Sequence, residues 1–170
     1  MTGHTTRHAF VDSPIGTLTL IADGDAIVEV WFPNHAGAPS ASLADSTLDP
    51  SHPVLVRAST QLTEYFAGTR TEFDLPLAPE GTPFQLAAWR ALSTIPFGET
   101  VSYGEQASRL GDPNKARAVG AANGRNPTPI IVPCHRVIGA NGHLTGFGGG
   151  VESKAWLLDH EQRVRQEAVA

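Results

Sequence analysis

Cysteine is almost absent from this 170-residue chain. Cys134 stands alone, which excludes an intramolecular disulfide and every zinc site built from several cysteines. Equally absent is an apolar run of the roughly eighteen residues that a membrane helix needs, and no charged-then-apolar signal segment opens the sequence. These absences lead us to expect no membrane association, no secretion and a reducing cytoplasm. Basic residues are in deficit, with 12 Lys/Arg against 17 Asp/Glu and a net charge of −5, which at first sight argues against a nucleic-acid partner. A nucleotide P-loop is missing too. The run Gly146-Phe147-Gly148-Gly149-Gly150 follows no strand-to-helix fingerprint, although its backbone could approach a flat ligand closely. What is present is 41% apolar and 17% charged residues, enough to bury a core in one ordinary domain or two small ones.

The charge is unevenly spread. Residues 1–100 carry 4 Lys/Arg against 11 Asp/Glu, whereas residues 101–170 carry 8 against 6. Arg109, Lys115, Arg117, Arg125 and Arg136 fall within 101–136 beside only Glu105 and Asp112. Such a segment can meet phosphate even on an acidic protein, or it can be an ordinary solvated face.

The first third alternates like strands. Phe10-Val11, Gly16–Ala22 and Ala26–Phe32 are separated by turn residues at Ser13-Pro14-Ile15-Gly16 and Asp23-Gly24-Asp25, which predicts an antiparallel meander. Residues 33–53, with Pro33, Pro39, Pro50 and Pro53, read as a loop. Val54, Leu55, Ala58, Leu62, Tyr65 and Phe66 recur at helical spacing up to Gly68, and Phe73–Leu77 reads as a further short strand. Pro79-Glu80-Gly81 reads as a linker, so we expect an N-terminal α/β domain over 1–80 and a second domain over 82–170.

The second half is helical. Thr82-Pro83-Phe84-Gln85 and Ser102-Tyr103-Gly104-Glu105 each have the residues of a capping box. The second of these opens a short helix ending at Leu110-Gly111, and Asp112-Pro113 starts another that ends near Asn123-Gly124. Two short helices across a tight glycine turn form a helix-turn-helix pattern, which serves either DNA binding or plain core packing. In the later helix Lys115 and Arg117 stand near the start, among Ala116, Ala118, Gly120, Ala121 and Ala122. Small residues permit close approach to another surface, while the basic pair can reach phosphate or enter a base stack.

Cys134 sits between Pro133 and the pair His135-Arg136, at the end of the apolar run Ile130-Ile131-Val132. A nucleophilic sulfur must be a thiolate, and cationic neighbours are expected to lower the thiol pKa. An inert buried cysteine and a core histidine would read the same in sequence.

Ile131-Val132-Pro133-Cys134-His135-Arg136-Val137-Ile138 resembles the active-site signature of the O6-alkylguanine-DNA alkyltransferases, also called methylated-DNA–protein-cysteine methyltransferases. The likeness continues in residues 96–104, in Ala116-Arg117-Ala118-Val119-Gly120, in Asn126-Pro127, in Trp156-Leu157-Leu158 and at Glu161. Asp12-Ser13-Pro14-Ile15-Gly16 and Phe84-Gln85 are also family-like, so the resemblance spans nearly the whole chain and is weakest in 33–53.

The resemblance implies an α/β (α+β) fold: a small N-terminal antiparallel sheet with a helix, ribonuclease H-like, then a helical winged helix-turn-helix domain. It implies irreversible, cofactor-free transfer of an alkyl group from guanine O6, and from thymine O4, in double-stranded DNA to Cys134, after the base is flipped from the minor groove. A monomer without metal is implied. By motif, His135 takes the thiol proton through a water, Glu161 orients the imidazole, and Asn126 shapes the cysteine loop. Tyr103 crowds the phosphate and donates a proton to the departing guanine, and Arg117 fills the gap in the stack. Ser102, Lys115, Ala116, Ala118 and Asn123 complete the implied DNA surface. Val137, Phe147, Gly148 and Gly149 line the implied pocket, and Arg136 braces the domain. Two departures stand out: Phe147 occupies a position where the family often has tyrosine, and the multi-cysteine zinc domain fused to some bacterial relatives is missing. Rival readings separate on the thiol. A non-catalytic alkyltransferase-like protein would lack Cys134, a helix-turn-helix transcription factor would leave it unmodified, and a cysteine hydrolase would turn over acyl substrates repeatedly.

Overall fold

The structure, a computed structural model, describes residues 6–33, 41–144 and 150–169. The chain divides into two compact units, Met1–Pro79 and Glu80–Ala170.

In the first unit β1 (Thr6–Val11), β2 (Leu18–Asp23) and β3 (Ala26–Trp31) form the expected antiparallel meander. Gly16 and Gly24 supply the positive φ that the two connecting turns require. Leu18, Leu20 and Ala22 on β2 are buried and share one face of the strand by their two-residue period. Against the sheet packs α2 (Pro53–Ala67), whose Leu55, Ala58, Leu62 and Tyr65 are fully buried at helical spacing. Each large side chain removed from water in this way contributes about 1.5–3 kcal/mol. Gly68, in the left-handed region at φ 83°, ends the helix as anticipated.

Two local expectations need correcting. Residues 33–53 are not all loop: among the described residues they hold α1 (Ala41–Ala44) and β4 (Thr47–Leu48). β4 pairs parallel to β1, with the Asp49 amide donating to the His8 carbonyl at 2.8 Å, so the four-stranded sheet is mixed, in the order β3-β2-β1-β4. Both β4 residues are exposed, and pairing imposed by a neighbouring edge leaves no alternation to read. Conversely, Phe73–Leu77 is reduced to a single bridge between Ile27 and Leu77. The Gln61 amide occupies both backbone groups of Asp74, at 3.0 and 2.9 Å, and Pro76 has no N–H to extend a ladder.

The second unit begins with α3 (Pro83–Leu92), closed by the Thr82–Gln85 capping box at 3.1 and 3.0 Å. After β5 (Val101–Ser102) comes α4 (Tyr103–Arg109), opened by the Ser102–Glu105 box. Gly111 at φ 103° turns the chain. The next helix does not start at Pro113 as an α-helix. Asp112 caps a tight 3₁₀ turn, Pro113–Lys115, through the Asn114 amide, and α5 runs only from Ala116 to Gly124. A second 3₁₀ turn, Cys134–Arg136, leads into β6 (Val137–Ile138), which pairs parallel to β5, and α6 (Val151–Val169) ends the described chain. The fold is thus the expected combination of a small sheet-and-helix unit followed by a helical unit. Among the described residues no helix is long and apolar enough to cross a membrane.

Candidate active site

The cysteine is delivered by a loop that folds on its own polar groups. Asn126 Nδ2 donates to the Val132 carbonyl at 2.8 Å, and Asn126 Oδ1 accepts from the Thr128 amide at 3.0 Å. The Val132 and Cys134 amides donate to the Thr128 and Val132 carbonyls at 2.9 and 2.8 Å. Ile130, a buried β-branched residue, is held at φ 74°, a conformation that costs on the order of 1–2 kcal/mol and persists only where its surroundings over-determine it. These tight turns place Cys134 at 6% exposure at the start of the 3₁₀ turn.

Burial then decides the state of the sulfur, against the sequence expectation. Desolvation pushes the Cys134 thiol up to about 11, outweighing the Asn126 hydrogen bond and the charge of Lys154, which both act in the opposite direction. The resting thiol is therefore protonated at neutral pH. Basic neighbours in sequence do not by themselves make a thiolate once the site is dry.

The next two residues meet the middle of α6. His135 Nε2 lies 2.7 Å from Glu161 Oε2, with both side chains buried. The same carboxylate accepts from Arg136 Nε at 2.9 Å, from Arg136 Nη2 at 3.1 Å and from the Gly98 amide at 3.1 Å. Arg136 Nη1 donates to the Ile95 carbonyl at 2.7 Å, and its guanidinium lies 5.6 Å from the Phe97 ring centroid. Burial alone would raise the Glu161 carboxyl, but hydrogen bonds and charge from His135 and Arg136 hold it well below the usual carboxylate range. An ionised carboxylate only accepts, so Nε2 carries the imidazole proton. His135 Nδ1 is buried and has no hydrogen-bond partner among the described residues. Burial lowers the His135 pKa, opposed by Glu161 and assisted by Arg136 and Lys154. The result is a neutral imidazole with its lone pair on Nδ1, able to take a proton.

Tyr103, the first residue of α4, is half-buried, and a Cβ on Gly120 of α5 would lie 3.7 Å from its ring. Lys154 of α6, absent from the sequence-derived site, reaches towards it. Its Nζ donates to the Val137 carbonyl at 2.7 Å and to the Tyr103 hydroxyl at 3.5 Å. The signal was there to be read: Lys154, Leu157 and Glu161 recur at i, i+3 and i+7 on the buried stripe of α6.

The expected DNA surface divides. Arg117, Ala118 and Lys115 are exposed and Ala116 is half-exposed; the Lys115 ammonium sits 5.6 Å from the Phe84 ring centroid. Ser102 spends its hydroxyl as the acceptor that caps α4. Asn123 is 3% exposed and exchanges amide hydrogen bonds with Gln106 at 2.8 and 3.1 Å, which makes it a joint between α4 and α5. Phe147, Gly148 and Gly149 lie outside the described residues. Among the described residues no three of His, Cys, Asp or Glu gather as metal ligands.

A family model described as "6-O-methylguanine DNA methyltransferase, ribonuclease-like domain" matches residues 6–79. Another, "6-O-methylguanine DNA methyltransferase, DNA binding domain", matches residues 83–163. A Mycobacterium tuberculosis protein named methylated-DNA–protein-cysteine methyltransferase is 51% identical over 152 residues, covering 89% of this chain and 90% of its own. A Methanosarcina acetivorans protein of the same name is 48% identical over 154 residues, covering 91% and 97%. The crystal structure of Mycobacterium tuberculosis OGT in complex with DNA matches with a TM-score of 0.87 at 49% identity, covering 93% of this chain and 94% of that one.

Proposed function

The chain belongs to the O6-methylguanine DNA methyltransferase family, and on that premise we propose that Cys134 is the residue on which its chemistry ends. The activity is that of a methylated-DNA–protein-cysteine methyltransferase, repairing DNA by alkyl transfer. In our reading the substrate is O6-alkylguanine, and O4-alkylthymine, in duplex DNA, and the protein works in the cytoplasm as a monomer.

The observation that carries the assignment of roles is the buried row of Cys134, His135 and Glu161, with the imidazole lone pair left on Nδ1. A thiol at about 11 is a poor nucleophile until its proton is removed. In the reaction His135 takes that proton through one water, and the imidazolium that forms is compensated by ionised Glu161. The sulfur attacks the alkyl carbon, the carbon–O6 bond breaks, and its electron pair leaves with the guanine. Tyr103 returns a proton to the base. The product is a thioether, which offers water no leaving group, so each molecule acts once.

The base has to leave the duplex to reach a buried sulfur. The small exposed residues Ala118 and Ala121 suit α5 to a narrow minor groove, and exposed Arg117 is placed to fill the vacated stack. Val137, with Phe147, Gly148 and Gly149, forms the pocket in this reading.

Intact mass after incubation with duplex O6-methylguanine DNA tests the proposal. We expect the protein to gain one methyl group, on Cys134, with repair stopping at one lesion per molecule and abolished in Cys134→Ala. Repeated turnover, or methylation elsewhere, would refute it.

A further inference from the structure

The helix that carries Arg117 offers its neighbours little to grip. Of the α5 residues Ala116–Gly124, Val119, Ala122 and Asn123 are buried, at i, i+3 and i+4 on the face towards α3 and α4. One valine and one alanine interlock weakly, so apolar packing alone leaves such a helix room to rotate or slide. The third inward position is not apolar. Asn123 and Gln106 of α4 are buried together and exchange two amide hydrogen bonds, and Gln106 Nε2 also donates to the Ala88 carbonyl of α3 at 3.2 Å. One residue earlier, the Ala122 carbonyl accepts from the indole Nε1 of Trp89 on α3 at 2.8 Å. Polar bonds from two helices thus converge on the last turn of α5.

Two buried amides are a poor way to stabilise a core. Taking them out of water offsets most of what their hydrogen bonds return, and an apolar pair of the same shape is about as stable. What the amides add is geometry, because a hydrogen bond holds only over a narrow range of distance and angle. A single buried asparagine fixes helix register in coiled coils in this way. We propose that Gln106, Asn123 and Trp89 are positioning residues for base extrusion, pinning the end of α5 so that Arg117 meets the duplex in one register. The inference rests on the role proposed for Arg117 and adds what holds that side chain in place.

Helix geometry gives the scale of the effect. Arg117 lies about 9 Å along the axis from Asn123, at about 1.5 Å per residue. Its side chain reaches about 5–6 Å from the axis, so a rotation of about 10° moves it by about 1 Å. A misplacement of about 1 Å can slow a reaction about a hundredfold. A free alkylated base needs no extrusion, so its reaction does not depend on where Arg117 points.

The test is a single-turnover comparison of saturating duplex O6-methylguanine DNA with free O6-methylguanine, read as the ratio of the two rates, with folding checked by thermal melting. A variant that merely loses folded protein lowers both rates together and leaves the ratio alone. Gln106→Leu/Asn123→Leu replaces both amides. Trp89→Phe removes one N–H, while the Ala122 carbonyl still accepts from the Arg125 amide at 3.1 Å. Arg117→Ala is measured alone and combined with each of these. We expect the leucine pair to melt near the wild type and to lower the ratio at least about tenfold. Trp89→Phe should lower it at least about twofold, and neither should lower it further once Arg117 is alanine. Should the leucine pair fail to fold, Trp89→Phe decides by the same criterion. A wild-type ratio in either folded variant, or a fall of undiminished size in the Arg117→Ala background, overturns the inference and leaves Arg117 in its role. Arg117→Ala with the wild-type ratio removes the Arg117 role and the inference together.

Discussion

Glu161 shows how much one side chain can be asked to hold. Its carboxylate accepts from His135, from two nitrogens of Arg136 and from the Gly98 backbone. Replacing it with glutamine keeps the shape but leaves the buried Arg136 without its counter-charge. Breaking a buried pair from one side costs about 3–5 kcal/mol. We therefore expect Glu161→Gln to be destabilised by that order in denaturant melts at pH 7 and to transfer alkyl groups more slowly, since imidazolium formation loses its compensation. A variant as stable as wild type would mean that Arg136 is satisfied elsewhere. The same residues set the acid limb of stability. His135 is lowered in the fold, so below its ordinary value of 6.5 the unfolded chain gains the proton first and stability declines. Glu161 is depressed as well; its contribution is complete above the ordinary carboxylate value near 4 and is lost as pH falls through its folded value. Melting temperature should accordingly drop in two stages on acidification, and Glu161→Gln should lack the second.

Helix boundaries written in adjacent residues could be read directly. The boxes Thr82–Gln85 and Ser102–Glu105 and the left-handed Gly68 depend on atoms a few residues apart, and they form as the sequence indicates. β4 could not be anticipated, because two exposed residues join a sheet only through what β1 offers them. Nor could the inward turn of Asn123, which depends on Gln106 arriving from another helix. The site divides in the same way. Cys134 and His135 announce themselves as neighbours, whereas the raised thiol and the buried Lys154 are consequences of desolvation, a property of the packed unit. α5 itself carries a testable division of labour. Its Val119, Ala122 and Asn123 face inward, and Arg117 faces out. If Arg117 fills the stack, Arg117→Ala should slow repair of duplex DNA strongly even at saturation and leave reaction with free O6-alkylguanine nearly intact. Recovery of the rate at high DNA concentration would reassign it to phosphate binding, and equal losses on both substrates would make it a support of the fold.

At the scale of the whole molecule the difficulty is charge. A protein of net charge −5 binds a polyanion, and its first 100 residues, with 4 basic against 11 acidic groups, can only oppose that encounter. Attraction has to come from a few groups of the second unit, and Arg109, Lys115, Arg117 and Arg125 are exposed there. Each phosphate neutralised contributes about −0.9 to the slope of log affinity against log salt. With Arg117 committed to the base stack, two or three of the others in contact give a slope of roughly −2 to −3. This is shallow for a DNA-binding protein, and it fits a repair protein that must release undamaged duplex quickly. Binding isotherms between low and physiological salt should show that slope, and Arg125→Ala should reduce its magnitude by about 1 while leaving the transfer rate at saturating DNA unchanged. A slope steeper than about −6 would exceed what these side chains can supply. Attraction would then have to come from residues beyond this exposed basic set, and the assignment of the DNA surface to α5 and its flanks would fail.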